Sequence, residues 1–344
     1  MKIYSFVNDY SEGCHPLVLE SLIASNHSQQ SGYGEDIFCK NASVQIRQII
    51  DKPDADIHFI AGGTLANLIV LASILKPFES IIAADTGHIN THEAGAIEAV
   101  GHKIESVFSK DGKLAPENLS PLLDKFPEFH TVKPRVVYIS NSTEIGTIYR
   151  KEELRLLYEF CKENDLILFV DGARLPVALT AEKNDMTIKD IANHSDVFYI
   201  GGTKCGALFG EAVVIVNDSL KKDFKYYLKQ RGGMMAKGRA MGAQFERLLQ
   251  DNLIFDLAEH ANTTAAKIAA TLQSLGYQFL SSPETNQLFP MLPNSVIAEL
   301  QKEYDFMIWK KTDESNSVVR IVTSWATPPE IVDRFTSTLR NLSS

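Results

Sequence analysis

Short apolar runs alternate with amphipathic helical segments through the first two thirds of the chain, and this alternation constrains the fold more than any other feature. The apolar runs lie around residues 55–60, 80–85, 134–140, 166–171, 197–201 and 211–217. Strands that are apolar throughout and separated by helices indicate a mostly parallel sheet with helices on both faces. The sequence therefore predicts an α/β fold, in which ligands bind beyond the carboxyl ends of the strands.

The pattern changes after about residue 245, where a long helical segment leads into several short apolar runs and further helices. A chain of 344 residues is longer than one hydrophobic core usually supports. We therefore predict a large domain over residues 1–245, including the N-terminal segment, and a small α+β domain over residues 246–344.

Charge and composition exclude several classes of partner. The formal net charge of -9 argues against a nucleic acid or an anionic membrane, because both require a basic surface. The four cysteines contain no CxxC pair, so neither a metal site nor a disulfide framework is expected. No stretch resembles a signal peptide or a membrane span. These observations predict a cytoplasmic protein with a small-molecule ligand.

A glycine turn follows the first apolar run, in the stretch IAGGTLANL. Gly62, Gly63 and Thr64 precede a helical segment, and the free N–H groups at a helix N-terminus bind phosphate well. The alternative is an ordinary strand-to-helix turn with Thr64 as the N-cap. The stretch matches neither GxGxxG nor GxxxxGK, so the usual nucleotide loops are not supported.

Two charged residues follow later apolar runs. Asp171 ends the most apolar run, and a buried carboxylate there needs a positive partner. That partner is either Arg174 or the protonated nitrogen of a pyridine ring. Lys204 follows the next run within a glycine-rich turn, and a partly buried lysine can form a Schiff base. A phosphate cradle, this acid and this lysine together are the parts of a pyridoxal 5'-phosphate site.

Six stretches, SGYGED, AGGTLANL, TGHINTHEAG, VDGAR, GGTKCG and VVRIVTS, resemble the threonine aldolase and β-eliminating lyase family of fold-type-I pyridoxal-phosphate enzymes. The resemblance runs from about Asn8 to Arg320 and extends to the low-specificity L-threonine aldolases. It implies the aspartate aminotransferase fold and the cleavage of a β-hydroxy-α-amino acid, such as L-threonine or L-allo-threonine, to glycine and an aldehyde. The alternatives are a β-eliminating lyase or aminotransferase on this scaffold, and a nucleotide-binding α/β protein without a Schiff base.

The resemblance implies a role for each residue that would hold the cofactor. Lys204 would bind it covalently, Asp171 would pair with the ring nitrogen, and Gly63 with Thr64 would bind its phosphate. His88 resembles the family histidine that stacks on the pyridine ring; the alternative is a histidine with no site role.

Substrate contacts follow from the same resemblance. Arg320 matches the arginine that binds the substrate carboxylate, unless it is an exposed strand residue, and Arg174 would assist it or the phenolic oxygen of the cofactor. The family usually carries a Ser-Asp-Thr stretch near the N-terminus, whose serine contacts the carboxylate. Asn8 stands in its place here. The segment QRGGMMAKGR also departs from the family pattern, so a contact expected there falls to Lys237, to Arg231 or to neither.

Two further residues extend the predicted site. His130 resembles a family histidine that touches the substrate side chain, or is a loop residue without a role. The base for the β-hydroxyl proton would be His88, His130 or a water that either one positions. Tyr33 resembles an aromatic residue that one subunit contributes to its neighbour, which implies a homodimer or homotetramer with shared active sites.

Overall fold

The computed structural model describes residues 3–123 and 129–343. Every helix within these ranges is too short or too polar to span a bilayer. The strands are β1 (Tyr4–Ser5), β2 (Asp56–Ile60), β3 (Glu79–Ala84), β4 (Ile104–Val107), β5 (Lys133–Ser140), β6 (Ile167–Asp171), β7 (Val197–Gly201), β8 (Glu211–Ile215), β9 (Gln287–Leu288), β10 (Met291–Pro293), β11 (Tyr304–Asp305), β12 (Met307–Lys311) and β13 (Asn316–Val322). The helices are α1 (Pro16–Ser25), α2 (Ile37–Ile50), α3 (Gly63–Ile74), α4 (His88–Thr91), α5 (Ala96–Ala99), α6 (Pro116–Leu123), α7 (Lys151–Glu163), α8 (Leu175–Leu179), α9 (Ile188–Asn193), α10 (Phe224–Gln230), α11 (Arg239–Leu249), α12 (Leu253–Ser274), α13 (Asn294–Leu300) and α14 (Pro329–Ser343).

The central sheet contains seven strands among the described residues, in the order β2-β8-β7-β6-β5-β3-β4. Strand β8 runs antiparallel to both β2 and β7, whereas the other neighbouring pairs are parallel. The predicted mostly parallel sheet is thus confirmed. Because β8 is reversed, its first residue lies at the same edge as the carboxyl ends of β2, β5, β6 and β7.

Both faces of this sheet are covered, as the apolar strand runs predict. In β6, Leu168 and Val170 pack into one core with α2 and α7, while Ile167 and Phe169 pack into a second core with α3 and α10. Successive side chains of a strand point to opposite faces, so a strand buried on both sides must be apolar at every position.

The C-terminal elements form a third core around a smaller antiparallel sheet, in which β13 pairs with β9, β10 and β12. The N-terminal residues join this part. Tyr4 pairs with Tyr304, and the buried ring of Phe6 contacts that of Phe335 at 5.2 Å. Residues 4–6 therefore contact the C-terminal elements, where Phe6 packs against α14. The predicted division into residues 1–245 and 246–344 stays a prediction.

A close backbone contact joins the ends of β6 and β7. The Gly201 N–H donates to the Gly172 carbonyl at 2.9 Å. A Cβ atom on Gly172 would lie only 1.7 Å from the carbonyl oxygen of Tyr199. Glycine at this position therefore lets the chain after Asp171 approach the strand that leads to Lys204.

We predict that Gly172→Ala destabilises the fold. The added methyl group overlaps a backbone carbonyl that no side-chain rotation can move, so the free energy of unfolding should fall by about 2 kcal/mol or more. Urea unfolding followed by circular dichroism measures this change. The control is Gly13→Ala, because a Cβ there meets nothing within 4 Å. Equal stabilities for the two variants would contradict the prediction.

Candidate active site

A cavity of about 350 Å³ lies at the sheet edge where β5, β6 and β7 end. Seven predicted site residues line it: Gly63, Thr64, His88, Asp171, Arg174, Lys204 and Arg320. Its walls also contain polar and aromatic residues that the sequence analysis missed, namely Tyr10, His92, Ser140, Ser142, Glu144, Tyr199, Thr203, Glu211, Gln287 and Trp309.

Lys204 lies three residues beyond the end of β7, in the turn that leads back into β8. Its amino group has no hydrogen-bond or ion-pair partner among residues 3–123 and 129–343, and the side chain borders the cavity. Burial, followed by the nearby charge of Arg174, lowers the pKa of Lys204 below its ordinary value. The neutral, nucleophilic amine is therefore more accessible here than on an open surface.

Asp171 is enclosed by hydrogen-bond donors at the end of β6. Its Oδ2 accepts from the Tyr138 hydroxyl and, at 3.2 Å, from Asn67 Nδ2, while Oδ1 accepts from the Ala173 N–H at 3.0 Å. Burial alone would raise the pKa of Asp171, but the charge of His88 and the tyrosine hydroxyls outweigh it and lower the pKa. The group is thus an ionised carboxylate in an enclosed setting, and it does not pair with Arg174.

His88 is held by a second buried carboxylate. Its Nδ1 lies 2.7 Å from Glu93 Oε1, which also accepts a hydrogen bond from Asn67 Nδ2 at 2.7 Å. With Glu93 as the acceptor, Nδ1 is the protonated ring nitrogen. Asn67 therefore links the ring of His88 to Asp171. Both Asn67 and Glu93 stand inside the quoted motifs, and Asn67 could have been indicated as a polar residue in the apolar helix α3.

Helix α3 begins at the cavity and leaves its first N–H groups free. The N-cap is Gly62, with an extended backbone (φ -178°) and no side-chain cap, so the alternative in which Thr64 is the N-cap is wrong. A Cβ on Gly63 would lie 3.2 Å from the Tyr199 hydroxyl, which leaves little room there for a side chain. The free donors and the helix dipole together favour an anion at this end of the cavity.

Arg174 pairs with Asp9 rather than with Asp171. Its Nε and one terminal nitrogen donate to the two Asp9 oxygens at 2.7 and 3.0 Å, and Asn286 adds a third donor at 3.0 Å. Both charged groups are buried. The predicted assistance of Arg174 in binding the substrate carboxylate is therefore restricted, because two of its nitrogens are already occupied.

Arg320 enters the cavity from β13 without a negative partner. One terminal nitrogen donates to Gln287 Oε1 at 2.7 Å, and the other lies 3.5 Å from the Val7 carbonyl. Its Nε is buried without a partner, and within the described residues no carboxylate lies within salt-bridge distance of it. Burial, and then the charge of Arg174, lower the pKa of Arg320 to about 10. The alternative of an exposed strand arginine is thus wrong, and the guanidinium group is suited to an anionic ligand.

Two predicted substrate contacts lie outside this cavity in the isolated chain. Asn8 turns its Oδ1 to the Tyr10 N–H at 2.9 Å and to Ser11, while Tyr10 itself borders the cavity. The departure at Asn8 thus serves a local turn. Tyr33 lines a separate cavity of about 300 Å³, where the Lys229 amino group lies 4.3 Å from the centre of its ring. Its predicted contribution to a neighbouring subunit stays a prediction.

His130 does not line this cavity either, and its predicted contact with the substrate stays a prediction. It is exposed on a turn before β5, whereas the cavity lies beyond the other end of that strand at Ser140. An eight-residue strand spans roughly 25 Å, so the two positions are at opposite edges of the sheet. Lys237 is exposed, and neither it nor Arg231 lines the cavity.

The residues present fit pyridoxal 5'-phosphate. The free N–H groups of α3 suit the phosphate, the ionised Asp171 suits a protonated ring nitrogen, and the unpaired amino group of Lys204 suits covalent attachment. Within the described ranges, no group of three histidine, cysteine or acidic residues could hold a metal ion.

A family model described as β-eliminating lyase matches residues 16–294. The chain belongs to this family. Because family members and the enzymes that share this fold depend on pyridoxal 5'-phosphate, the predicted cofactor is confirmed. The family also confirms the predicted class of enzyme, a carbon–carbon lyase.

Three similar proteins are named threonine aldolases. The low specificity L-threonine aldolase of Pseudomonas sp. (strain NCIMB 10558) is 30% identical over 98% of this chain and 98% of its own, and that of Pseudomonas aeruginosa is 32% identical over 86% and 84%. A solved threonine aldolase of Leishmania major is 46% identical, covers 99% of this chain and 100% of its own, and has a TM-score of 0.98. An aspartate aminotransferase of Thermus thermophilus, 14% identical with a TM-score of 0.73 over 99% and 91%, confirms the predicted fold.

The Asp9–Arg174 pair generates a prediction for stability. Asp9→Asn leaves the buried guanidinium group without its carboxylate, so the free energy of unfolding at pH 7 should fall by about 3 kcal/mol. Chemical denaturation of both proteins measures this difference. Asp54→Asn is the control, since Asp54 is exposed.

The same pair predicts a pH dependence. Burial alone would raise the pKa of Asp9, but the charges of Arg174 and Lys204 hold it at about 2, against an ordinary 3.8. A lowered pKa stabilises the fold above pH 4, and this contribution is lost as the pH falls from about 4 to about 2. The loss should be absent in Asp9→Asn; an identical acid dependence in both proteins would refute the assignment.

Proposed function

We propose that this protein cleaves L-threonine, L-allo-threonine or a related β-hydroxy-α-amino acid to glycine and an aldehyde. One observation carries the proposal: a cavity that contains an unpaired lysine amine and an ionised carboxylate also contains an arginine, Arg320, without a negative partner. An amino acid has the groups that such a site would bind, an amine and a carboxylate. The names of the similar threonine aldolases support the choice of a β-hydroxy substrate.

In this proposal, the amino group of Lys204 would hold the cofactor covalently and would be free once the amino group of the substrate took its place. Asp171 would keep the ring nitrogen protonated, the N–H groups of Gly63 and Thr64 would bind the phosphate, and His88 would contact the ring. When bound, pyridoxal 5'-phosphate supplies an electron sink for the bond that breaks at Cα. The contribution of Asp171 is its fixed negative charge, which the surrounding donors maintain.

Arg320 has the role of orienting the substrate. Gln287 engages one terminal nitrogen of the guanidinium group, and the other terminal nitrogen has only the long 3.5 Å contact with the Val7 carbonyl, so N–H groups of both remain for a carboxylate. A two-point contact restricts rotation of the substrate, and such restriction lets a chosen bond at Cα align with the electron sink. Arg174 is a weaker candidate, because Asp9 already occupies two of its nitrogens.

The proposal is tested by incubating the purified holoenzyme with a panel of β-hydroxy amino acids. Release of glycine and the matching aldehyde in equal amounts is the expected result. Release of a keto acid and ammonia would instead indicate a β-eliminating lyase, and transfer of the amino group to a keto acid would indicate an aminotransferase.

Shared active sites in a homodimer or homotetramer remain part of the proposal. Sedimentation of the holoenzyme tests the predicted assembly.

We predict that Lys204→Ala abolishes turnover, the visible absorbance of the lysine-bound cofactor and its covalent fixation by borohydride, because the mutation removes the amine that attaches the cofactor. Circular dichroism should show an unchanged fold. Lys222→Ala is the matched control, since Lys222 is an exposed lysine away from the cavity. A borohydride-stable adduct in Lys204→Ala would disprove the assignment.

Arg320→Lys should raise KM for L-threonine by roughly 10- to 100-fold, because a lysine keeps the charge but cannot make a two-point contact. The free energy of unfolding should change little. Steady-state kinetics on Arg320→Lys and on the surface control Arg155→Lys measures the effect. An unchanged KM would mean that another residue binds the carboxylate.

A further inference from the structure

Three carboxyl groups line the cavity within the described part of the chain: Asp171, Glu211 and Glu144. Both oxygens of Asp171 accept hydrogen bonds. Both oxygens of Glu211 do so too, from the Gly202 N–H at 3.1 Å and the Thr203 hydroxyl at 2.8 Å. Glu144 differs, because its Oε1 accepts two hydrogen bonds while its Oε2 accepts none from another residue in the described part of the chain and is not fully enclosed.

The carboxyl group of Glu144 is held firmly at its other oxygen. Oε1 accepts from the backbone N–H of His88 at 2.9 Å and from the Ser140 hydroxyl at 2.6 Å. These donors belong to α4 and to the last residue of β5, so two separate elements fix the group. Because Oε1 is fixed in this way, the orientation of Oε2 is fixed too. A lone pair on Oε2 can then accept a proton from a defined direction, as a general base requires.

Charge and burial also suit a base at this position. Burial raises the pKa of Glu144, the Ser140 hydroxyl lowers it and the negative charge of Asp171 raises it. Its own backbone N–H and His88 lower it again, and the net direction is upward. The titratable groups facing it from β5 and the following segment are Tyr138 and Tyr149. A carboxyl group with a raised pKa accepts protons more readily near neutral pH than an ordinary one does.

The histidines of the cavity are held in a different arrangement. The rings of His88 and His92 stack at 5.5 Å with an angle of 17°, and Trp309 continues the stack at 6.3 Å and 12°. Nδ1 of His88 faces Glu93, and Nδ1 of His92 lies 2.6 Å from the Thr91 hydroxyl. These two rings therefore build an aromatic wall in which one nitrogen of each is already engaged.

We propose that Glu144, through its free Oε2, is the general base that accepts the proton of the substrate β-hydroxyl group. The proposal rests on the function proposed above. The O–H proton passes to Glu144, the C–O bond becomes the C=O of the aldehyde, and the Cα–Cβ bond breaks with its electron pair remaining on Cα. One proton is then returned to Cα to form glycine, so the atoms of threonine are divided between glycine and acetaldehyde without another reactant.

Glu144→Gln tests this role, since glutamine keeps the shape and the Oε1 acceptor but cannot accept a proton. We expect kcat for L-threonine cleavage to fall by about 100-fold or more. Exchange of the α-proton of glycine in D2O, followed by NMR, should change by less than about threefold, because glycine has no β-hydroxyl group. Cofactor affinity, measured by absorbance titration of the apoenzyme, should also be retained.

The pH profile separates Glu144 from the histidines. In the wild type, kcat/KM should fall as the pH drops through the raised pKa of Glu144, which places this acid limb above pH 4.5. The limb should disappear in Glu144→Gln and persist in His92→Gln. Its loss in His92→Gln alone would assign the base to His92 and overturn the proposal.

Two further outcomes would overturn the proposal, and they are distinguishable from a failure of the proposed function. If Glu144→Gln cleaved L-threonine at the wild-type rate, Glu144 would not be the base, and the proposed function would be unaffected. An equal loss of cleavage and glycine exchange in Glu144→Gln would mean that the residue orients the site instead. A wild-type enzyme that exchanges the glycine proton but releases no aldehyde would reject the proposed function and this proposal together.

Discussion

An ionised carboxylate in an enclosed position, that of Asp171, is the interaction on which the rest of the site depends. Burial opposes its charge, and the hydroxyl of Tyr138, the amide of Asn67 and the nearby His88 offset that cost. These partners come from β5, α3 and α4, so stabilising one charge also holds three elements in position. Asn67 extends the arrangement to Glu93, which orients the His88 ring.

The positive groups of the cavity, in contrast to Asp171, are only partly matched by groups of opposite charge. Arg174 is neutralised by Asp9, whereas Arg320 and Lys204 remain without anionic partners in the described chain. The site thus keeps one amine and one guanidinium group available for a ligand. Their unpaired charges cost stability in the free protein, and an amino acid with its carboxylate and the cofactor would relieve that cost.

The site also joins the two sheets. Arg320 comes from β13 of the small sheet, Asp171 and Lys204 follow strands of the large one, and Asp9 lies just after Phe6, which packs in the C-terminal core. Because the Asp9–Arg174 pair connects these parts through buried charges, the N-terminal segment contributes to the site although it adds no strand to the central sheet.

Much of the fold and part of the site could be predicted from the sequence, since both depend on local patterns. Uniformly apolar runs separated by helices occur where strands are buried on both faces, and this predicted the mostly parallel sheet. Chemical groups directly after such runs, Asp171 and Lys204, had to lie at one edge because parallel strands end together.

Only the tertiary structure decided which residues face one another across the cavity. Asp9 pairs with Arg174 although 165 positions separate them in the sequence. The residues around Asp9 and those around Arg174 contain no pattern that indicates this contact. His130 and Glu144 flank the same strand, yet they lie at opposite ends of it, and only Glu144 borders the cavity. Sequence patterns determine burial and strand direction, whereas hydrogen bonding and charge pairing depend on distances that exist only once the strands and helices have packed.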